Sequence, residues 1–262
     1  MNDKPIGIFD SGVGGTSIWK EIHKLMPNED TIYLADSKNA PYGEKTKAEI
    51  LDLSIKNTEL LLGKGCKLIV VACNTATTNA IAYLRKNYDL PFIGIEPAIK
   101  PAALQSSSKN IGVLATKGTL ASDLFYVTSK NHASGISIIV KEGTGLVPLV
   151  ESGKVDTKET EELLRKYLNP MLQKNIDHLV LGCTHYPYLI PVLKKILPDS
   201  VKIIDSGQAV AKQTLHILVQ NNLRFQEDRV SNHSFYSNLD PAVLAGFLME
   251  EKASCATSYL DF

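Results

Sequence analysis

Two of the four cysteines of this chain, Cys73 and Cys183, lie in similar surroundings, one in each half of the sequence. Each follows a largely apolar run, 68–72 or 178–182, that is typical of a buried parallel strand, and polar residues suited to the start of a helix come next. A thiol between a strand end and a helix N-terminus lies where a thiolate is stabilised. Two such thiols in matching positions indicate chemistry on both faces of one small molecule.

The residues that follow the two cysteines can cap a helix and also bind a substrate carboxylate. They are Asn74, Thr75, Thr184 and His185. A buried cysteine is most often an inert small hydrophobic residue, and that interpretation would hold for either cysteine alone. His185 follows Cys183 closely enough to activate its thiol. A two-thiol site can remove a proton from one face of a carbon and return one to the other face, which inverts the configuration without a cofactor.

A zinc site is the weaker alternative, with Cys73, Cys183 and His185 as three ligands of an open coordination sphere. Nothing in their spacing fixes that geometry. The sequence contains no Cys-X-X-Cys pair, which excludes zinc ribbons and thioredoxin-type sites. Cys66 and Cys255 lack the surroundings of the other two cysteines, and we expect them to take no part in the chemistry.

Two loops after the first two predicted strands are candidate binding segments. Loop 10–15 contains three glycines, which allow a ligand to approach backbone N–H groups closely. Its spacing matches neither the dinucleotide fingerprint nor a P-loop, so a nest for a carboxylate or phosphate and a plain strand–helix turn both stay open. Loop 36–43 is rich in turn residues, and it is either part of a binding wall or a surface loop.

Strand and helix patterns alternate over most of the chain, which is typical of a parallel, doubly wound α/β sheet. We predict strands near 5–9, 31–35, 67–72, 92–95, 110–114, 136–140, 177–181 and 201–204. In the tail, 234–237 has the pattern of an edge strand and Asp240-Pro241 that of a helix start.

An internal repeat connects the two cysteines. The run 6–9 recurs at 111–114, Cys73 corresponds to Cys183, and a Leu-Pro pair before an apolar run occurs once in each half, all in the same order and at nearly constant offset. The predicted fold is therefore α/β, with two similar doubly wound parallel-sheet domains related by pseudo-symmetry. The active site is expected in the cleft between them, because parallel sheets bind ligands at the carboxyl ends of their strands.

The bulk composition argues against several functional classes. The chain has 28 basic and 28 acidic residues, without a long run of one sign, so there is no electrostatic basis for binding nucleic acid or an anionic membrane. No secretory signal is visible, and no apolar run approaches the ~20 residues of a membrane-spanning helix. We expect a cytoplasmic protein with reduced cysteines.

Four segments together resemble the aspartate/glutamate racemase family, and within it the glutamate-specific members. They are 9–15 (FDSGVGG), 41–43 (PYG), 72–76 (ACNTA) and 181–187 (LGCTHYP), and the similarity runs from Ile6 to the tail. The resemblance implies a cofactor-independent isomerase that interconverts L- and D-glutamate and supplies D-glutamate for peptidoglycan in a bacterial cytoplasm. It implies no metal and no cofactor, and a small-molecule substrate as the partner.

The family pattern also implies a role for individual residues. Cys73 would act on the D-enantiomer and Cys183 on the L-enantiomer, while Asp10 and His185 would assist the two thiols and Glu151 would be a further acidic helper. The substrate-binding positions implied are Asp10, Ser11, Pro41, Tyr42, Gly43, Asn74, Thr75, Thr116, Thr184 and His185.

Domain edges rest partly on the same resemblance. Residues 1–97 plus 208–262 are expected to form the N-terminal domain with Cys73, and 98–207 the second domain with Cys183. The family often forms dimers, so a homodimer is one expected assembly. The chain begins only a few residues before its first strand, so activation by a peptidoglycan precursor, which family members with an N-terminal extension show, is not expected.

Two other functions stay open. Thr184-His185 after Cys183 matches the glutamate type, whereas related aspartate racemases resemble Cys-Thr-Glu at this point; a racemase for aspartate or another acidic amino acid is the alternative enzyme. A non-catalytic amino-acid-binding regulator on the same scaffold is the alternative outside catalysis.

Overall fold

The computed structural model describes residues 3–132, 135–249, 251 and 255–262. Within these ranges the strands form two sheets, one of six strands and one of four, and all neighbouring strands are parallel. The strands are β1 (Ile6–Asp10), β2 (Thr31–Ala35), β3 (Leu68–Val71), β4 (Phe92–Gly94), β5 (Asn110–Ala115), β6 (Ser137–Glu142), β7 (His178–Gly182), β8 (Lys202–Ile204), β9 (His233–Ser237) and β10 (Cys255–Tyr259).

The internal repeat predicted from the sequence is present in the strand order. The first sheet runs β10-β9-β2-β1-β3-β4 and the second runs β6-β5-β7-β8. The series β2-β1-β3-β4 therefore matches β6-β5-β7-β8 strand for strand, with Cys73 after β3 and Cys183 after β7. The predicted fold class, two similar doubly wound α/β units, is confirmed.

The tail completes the first sheet in a way that the sequence did not predict. Strand β9 pairs with β2 of the first sheet, and β10 pairs along its other side. The prediction that 234–237 is an edge strand is therefore wrong. Strand β10 has the sequence CATSY, whose side chains are partly or fully exposed, so it carries too weak an apolar pattern to be recognised.

Helices cover both faces of each sheet, so most strands are buried on both sides and read as continuous apolar runs. Among the described residues no helix is long and apolar enough to span a membrane. The α-helices are α1 (Thr16–Leu25), α2 (Lys47–Gly63), α3 (Asn74–Asn87), α4 (Ile99–Gln105), α5 (Lys117–Leu120), α6 (Asp123–His132), α7 (Leu146–Glu151), α8 (Lys158–Leu172), α9 (Ile190–Ile196), α10 (Gly207–Gln220) and α11 (Pro241–Gly246), with 3₁₀ turns at Ser37–Asn39, Tyr42–Glu44 and Tyr186–Leu189.

Alternation along the strands divides the core. In β1, Ile6 and Ile8 belong to one apolar cluster and Phe9 to another on the opposite face of the sheet. The first of these clusters continues from α1 and the tail into the second half of the chain, where it includes Leu168 and Leu193. The two sheets are thus joined by packed side chains as well as by the chain itself.

The chain passes between the two sheets at two neighbouring points. Residues 95–98 lead from β4 to α4, and 205–206 lead from β8 to α10, which packs against α1. The hydroxyl of Ser206 donates a hydrogen bond to the backbone carbonyl of Glu96, over 2.5 Å, and ties the two crossings together. Both crossings leave from edge strands, so they define one side of the cleft between the sheets.

Candidate active site

Cys73 is the N-terminal cap of α3. Its sulfur accepts a hydrogen bond from the backbone N–H of Ala76, over 3.5 Å, and lies 3.7 Å from the hydroxyl of Ser11. Only 4% of the residue is exposed. Burial raises the pKa of the Cys73 thiol well above its ordinary value, and the nearby Asp10 carboxylate adds to the rise. Despite the helix N-terminus, the isolated site therefore favours the neutral thiol.

Cys183 has different surroundings. A turn and the 3₁₀ helix Tyr186–Leu189 follow it, and α9 begins only at Ile190, so the expectation of an α-helix N-terminus directly after this cysteine is wrong. Tyr186 and Pro187 begin this 3₁₀ helix, and short 3₁₀ turns are frequent at the N-termini of α-helices. The group next to this thiol is a histidine instead of a helix N-terminus: Nδ1 of His185 lies 3.7 Å from Sγ of Cys183.

The glycine loop 10–15 binds carboxylates that belong to the protein itself. The N–H of Gly15 donates to Oδ2 of Asp10 over 2.6 Å, and the N–H of Val13 donates to Oε1 of Glu151 over 2.7 Å. A Cβ atom on Gly12 would lie 1.9 Å from Oε1 of Glu151, and one on Gly14 would lie 2.3 Å from Nδ1 of His185. The glycines therefore allow side chains of the second half to lie directly on this loop.

Asp10 lies behind the first cysteine, fully buried at the end of β1. The hydroxyl of Thr184, from the second half, is 3.4 Å from both of its carboxylate oxygens, and the hydroxyl of Ser11 is 3.4 Å from Oδ1. Burial raises the pKa of Asp10 from 3.8 to about 6, while the charge of His185 acts in the opposite direction. No basic side chain appears among its hydrogen-bond or ion-pair partners in the described part of the chain.

Glu151 lies behind the second cysteine and contacts His185. Its Oε1 is 2.5 Å from Nε2 of His185, so that nitrogen carries a proton and Nδ1 is the atom that faces the sulfur of Cys183. Burial alone would lower the pKa of His185, but its hydrogen bonds with Cys183 and Glu151 raise that pKa well above the ordinary value. The imidazolium that results can stabilise a thiolate at Cys183.

Tyr42 lines the cavity, and its hydroxyl is engaged by two other side chains. The hydroxyl donates to Oδ2 of the buried Asp36 over 2.5 Å and accepts from Nδ2 of Asn57 over 3.1 Å. Burial and the Asp36 carboxylate raise the pKa of Tyr42 well above its ordinary value. Asp36 in turn accepts hydrogen bonds from Asn39 and Asn238, so a buried polar cluster supports this loop from behind.

One small cavity between the two sheets contains both cysteines. It is lined by Ser11, Pro41, Tyr42, Gly43, Cys73, Asn74, Thr75, Thr116, Val147, Cys183, Thr184 and His185. Of the site residues predicted from the sequence, all but Asp10 and Glu151 line it, and those two contact residues that do. The volume open to the centre of a water-sized sphere is about 10 Å³, roughly enough for one water molecule. The cleft is therefore closed.

Two features of the cavity wall concern a ligand. Both polar atoms of the Asn74 side chain are buried without a hydrogen-bond partner, although the residue is only 2% exposed. Such groups are costly to bury unless something binds them. Across the cleft, the hydroxyls of Thr75 and Thr116 are 2.8 Å apart, so Thr116 lies at a contact between the two halves.

Comparison with known proteins identifies the family. A model of the Asp/Glu/Hydantoin racemase family matches residues 6–214. Glutamate racemase of Ectopseudomonas mendocina is 48% identical over 224 residues, which are 85% of each chain. The chain belongs to the Asp/Glu/Hydantoin racemase family. This confirms the resemblance predicted from the sequence and classes the chain among the racemase enzymes.

Solved structures of glutamate racemases have the same fold as this chain. Glutamate racemase of Francisella tularensis in complex with D-glutamate has a TM-score of 0.84 at 29% identity, covering 98% of both chains. Glutamate racemase of Escherichia coli in complex with L-glutamate and the activator UDP-MurNAc-ala also has a TM-score of 0.84, at 31% identity, covering 97% of this chain and 99% of that one.

Three residues at or near the site were not named individually from the sequence, although two of them belong to the candidate binding loop 36–43. Val147 lines the cavity, Asp36 binds the Tyr42 hydroxyl, and the hydroxyl of Ser37 donates to Oε2 of Glu151 over 3.0 Å. Asp36 and Ser37 belong to the turn-rich loop that follows β2, so position after a strand end was a usable signal for them. Val147 gave no signal, because an apolar residue on a short helix is typical of any core.

The alternative of a zinc site finds no counterpart in the geometry. Within residues 3–132, 135–249, 251 and 255–262, no group of three or more His, Cys, Asp or Glu side chains is placed to hold a metal ion. Cys73, Cys183 and His185 line one cavity but do not form such a group.

Proposed function

We propose that the chain interconverts L- and D-glutamate by proton transfer between the α-carbon and two thiols, without a cofactor. The observation that carries the proposal is the pair Cys73 and Cys183, which follow equivalent strands of two sheets and line one closed cavity. Glutamate as the substrate is supported by the relatives named above, which are glutamate racemases covering most of the chain.

In the direction from L to D, the Cys183 thiolate removes the α-proton of L-glutamate and becomes a thiol. The Cys73 thiol then gives its proton to the opposite face of the α-carbon and becomes a thiolate. One proton leaves the carbon and one arrives, so the substrate is inverted while the two cysteines exchange protonation states. The reverse direction begins with a Cys73 thiolate and a Cys183 thiol.

The assisting groups fit these roles on each side. His185, with Glu151 behind it, stabilises the negative charge on Cys183, whereas Asp10 next to Cys73 exchanges a proton with that side of the site. Charge that develops on the substrate carboxylate is stabilised by polar groups already fixed around the cavity, among them the unpartnered amide of Asn74. The other proposed substrate-binding residues are Ser11, Pro41, Tyr42, Gly43, Thr75, Thr116, Thr184 and His185, which line the cavity, and Asp10, which lies behind Ser11 and Thr184.

The proposed biological role is the supply of D-glutamate for peptidoglycan, and hence for cell wall and cell shape, in the cytoplasm. We assign residues 1–97 plus 208–262 to the domain with Cys73 and 98–207 to the domain with Cys183. The homodimer expected from the family remains a prediction, which sedimentation of the purified protein checks.

Circular dichroism of D-glutamate solutions containing the purified protein tests the function. With EDTA present and no cofactor added, we expect the signal of D-glutamate to decay to zero, the value of the racemic mixture. D-aspartate is the comparison substrate and should change much more slowly. A constant signal with D-glutamate contradicts the proposal, and faster decay with D-aspartate favours the aspartate alternative.

A further inference from the structure

The strand order assigns a hinge and a mouth to the cleft. The two chain crossings leave from β4 and β8, the edge strands on one side of their sheets. Strands β2 and β6 lie three positions away in each sheet, about 14 Å at the usual strand spacing. Segments that follow β2 and β6 therefore meet on the side opposite the crossings, where separation is largest if the halves rotate about the crossings.

Glu151 joins the two halves on that side. It is the last residue of α7, the helix that follows β6, and its Oε2 accepts a hydrogen bond from the hydroxyl of Ser37, which follows β2. Its Oε1 accepts from the N–H of Val13, again from the first half. The side chain remains 16% exposed, so the contact lies at the rim of the cleft.

The same carboxylate holds a residue of the cavity wall. Oε1 of Glu151, besides its bond from Val13, is 2.5 Å from Nε2 of His185, and His185 faces the sulfur of Cys183. The position and charge of His185 thus depend on a carboxylate that has all its donors only while the cleft is closed. Opening removes the donors from Ser37 and Val13 but leaves His185, which belongs to the same half as Glu151.

We propose that Ser37 is the latch of the cleft mouth and a positioning residue for the Cys183 side of the reaction, acting through Glu151 and His185. This inference rests on the proposed glutamate racemisation. The cavity is too small for an amino acid while the cleft is closed, so each turnover includes opening and closing. Closing the Ser37–Glu151 bond fixes Glu151 at the moment when His185 has to stabilise the Cys183 thiolate.

The test compares Ser37→Ala with Ser37→Thr and Ser152→Ala. Ser37→Thr keeps the hydroxyl. Ser152 lies beside Glu151, but its hydroxyl donates to Pro148 and Leu149 within its own half, so it is the matched control. We expect Ser37→Ala to lower kcat/KM for glutamate by about threefold to tenfold, the effect of one hydrogen bond, and the other two variants to stay within about twofold of wild type.

Isotope effects separate positioning from simple loosening of the fold. The two enantiomers have equal free energy, so kcat/KM must fall equally in both directions. With α-deuterated substrates, however, a slower Cys183 step raises the isotope effect on kcat/KM for L-glutamate and lowers it for D-glutamate. We expect these opposite changes in Ser37→Ala, with an unchanged melting temperature, and neither change in Ser37→Thr or Ser152→Ala.

Three results would overturn the inference in different ways. If the wild type racemises glutamate and Ser37→Ala matches it in kcat/KM and in both isotope effects, the latch is wrong and the proposed function stands. If the wild type does not racemise glutamate, the proposed function fails and the latch fails with it. Equal losses in Ser37→Ala and Ser37→Thr would also contradict the latch, because the hydroxyl would not be the group that matters.

Discussion

The two halves of the cleft place a cysteine after the same strand of the same strand order, yet surround it with different chemistry. Cys73 caps an α-helix and has a buried carboxyl group, Asp10, behind it. Cys183 lies in a turn and has an imidazole, His185, with a carboxylate behind that. The repeated fold thus accounts for the positions of the sulfur atoms, while the local sequence decides which ionisable side chains surround each one.

This difference has a consequence for the resting site. The pKa of Cys73 is raised by burial and by Asp10, and the pKa of His185 is raised by its hydrogen bonds with Cys183 and Glu151. A neutral Cys73 thiol opposite a charged His185 imidazolium is the arrangement that both shifts favour. In the proposed mechanism this is the form that accepts L-glutamate. The form that accepts D-glutamate is reached when Cys73 gives up its proton.

The largest effect is expected from removing either thiol. Cys73→Ala and Cys183→Ala should each lower racemisation by about 10³-fold or more, because each removes one of the two proton-transfer groups. In D₂O, Cys183→Ala should still exchange the α-proton of D-glutamate alone, and Cys73→Ala that of L-glutamate alone, since the remaining thiol returns a deuteron to the same face. Proton NMR of each enantiomer measures both reactions.

Cys66→Ala is the matched control, because Cys66 is buried but does not line the cavity. It should keep both reactions within about twofold of wild type. Exchange of the same enantiomer in both active-site variants would contradict the assignment of one thiol to each face.

Removing the assisting groups should have the next largest effect and should distinguish the two halves. We expect His185→Asn and Asp10→Asn each to lower kcat/KM by about 10²-fold, within the range for acid–base groups. His185→Asn slows the Cys183 step, so the α-deuterium isotope effect should rise for L-glutamate and fall for D-glutamate. Asp10→Asn should produce the reverse pattern. The same pattern in both variants would mean that the two groups do not act on separate thiols.

The sequence predicts those features of the two halves that each depend on a single segment of the chain. The apolar runs before Cys73 and Cys183 and the repeat at constant offset were sufficient for the two sheets and the cavity between them. Residues whose partners come from the other half were harder. Ser37 gained its significance only through docking of the halves, and Glu151 was named from the family resemblance alone.

Two local predictions were correct only in part. A 3₁₀ helix stands between Cys183 and α9, so the prediction of two equivalent α-helix N-termini was half right. The loop 10–15 was predicted either as an anion nest or as a plain turn. Its N–H groups do bind carboxylates, but those of Asp10 and Glu151, which spacing alone cannot reveal.

The pH dependence of stability is a third property that distinguishes the Cys73 side of the site from the Cys183 side. The pKa of Asp10 rises from 3.8, the value expected in the unfolded chain, to about 6 in the folded protein, so the folded state binds this proton more tightly. The stabilisation is complete below 3.8 and is lost as the pH rises through 6. By linkage, a shift of this size corresponds to about 3 kcal/mol of unfolding free energy, which Asp10→Asn should not lose.

Urea unfolding of wild type and Asp10→Asn at about pH 5 and about pH 8 measures the part of this loss that falls between the two pH values, about 1.4 kcal/mol. Comparing the two proteins cancels the contributions of other titrating groups, which both share. His233 is one of them: burial and His23 lower its pKa to about 4, so the folded protein loses stability as the pH falls towards that value. A stability difference between the two proteins that is the same at both pH values would show that Asp10 does not titrate in this window.

The smallest of these effects on activity should come from Gly14→Ala, a substitution in the first half of the chain whose nearest neighbour is His185 of the second half. A Cβ atom at Gly14 would lie 2.3 Å from Nδ1 of His185, so Gly14→Ala should displace the imidazole and lower kcat/KM by about tenfold. Gly63→Ala is the control: it ends α2 with no atom near the added Cβ, and it should stabilise the helix by about 0.5 to 1 kcal/mol. If Gly14→Ala acts through His185, its isotope effects must follow His185→Asn. Isotope effects that follow Asp10→Asn would mean that the loop reports on Cys73 and that the two sides of the cleft are not separable.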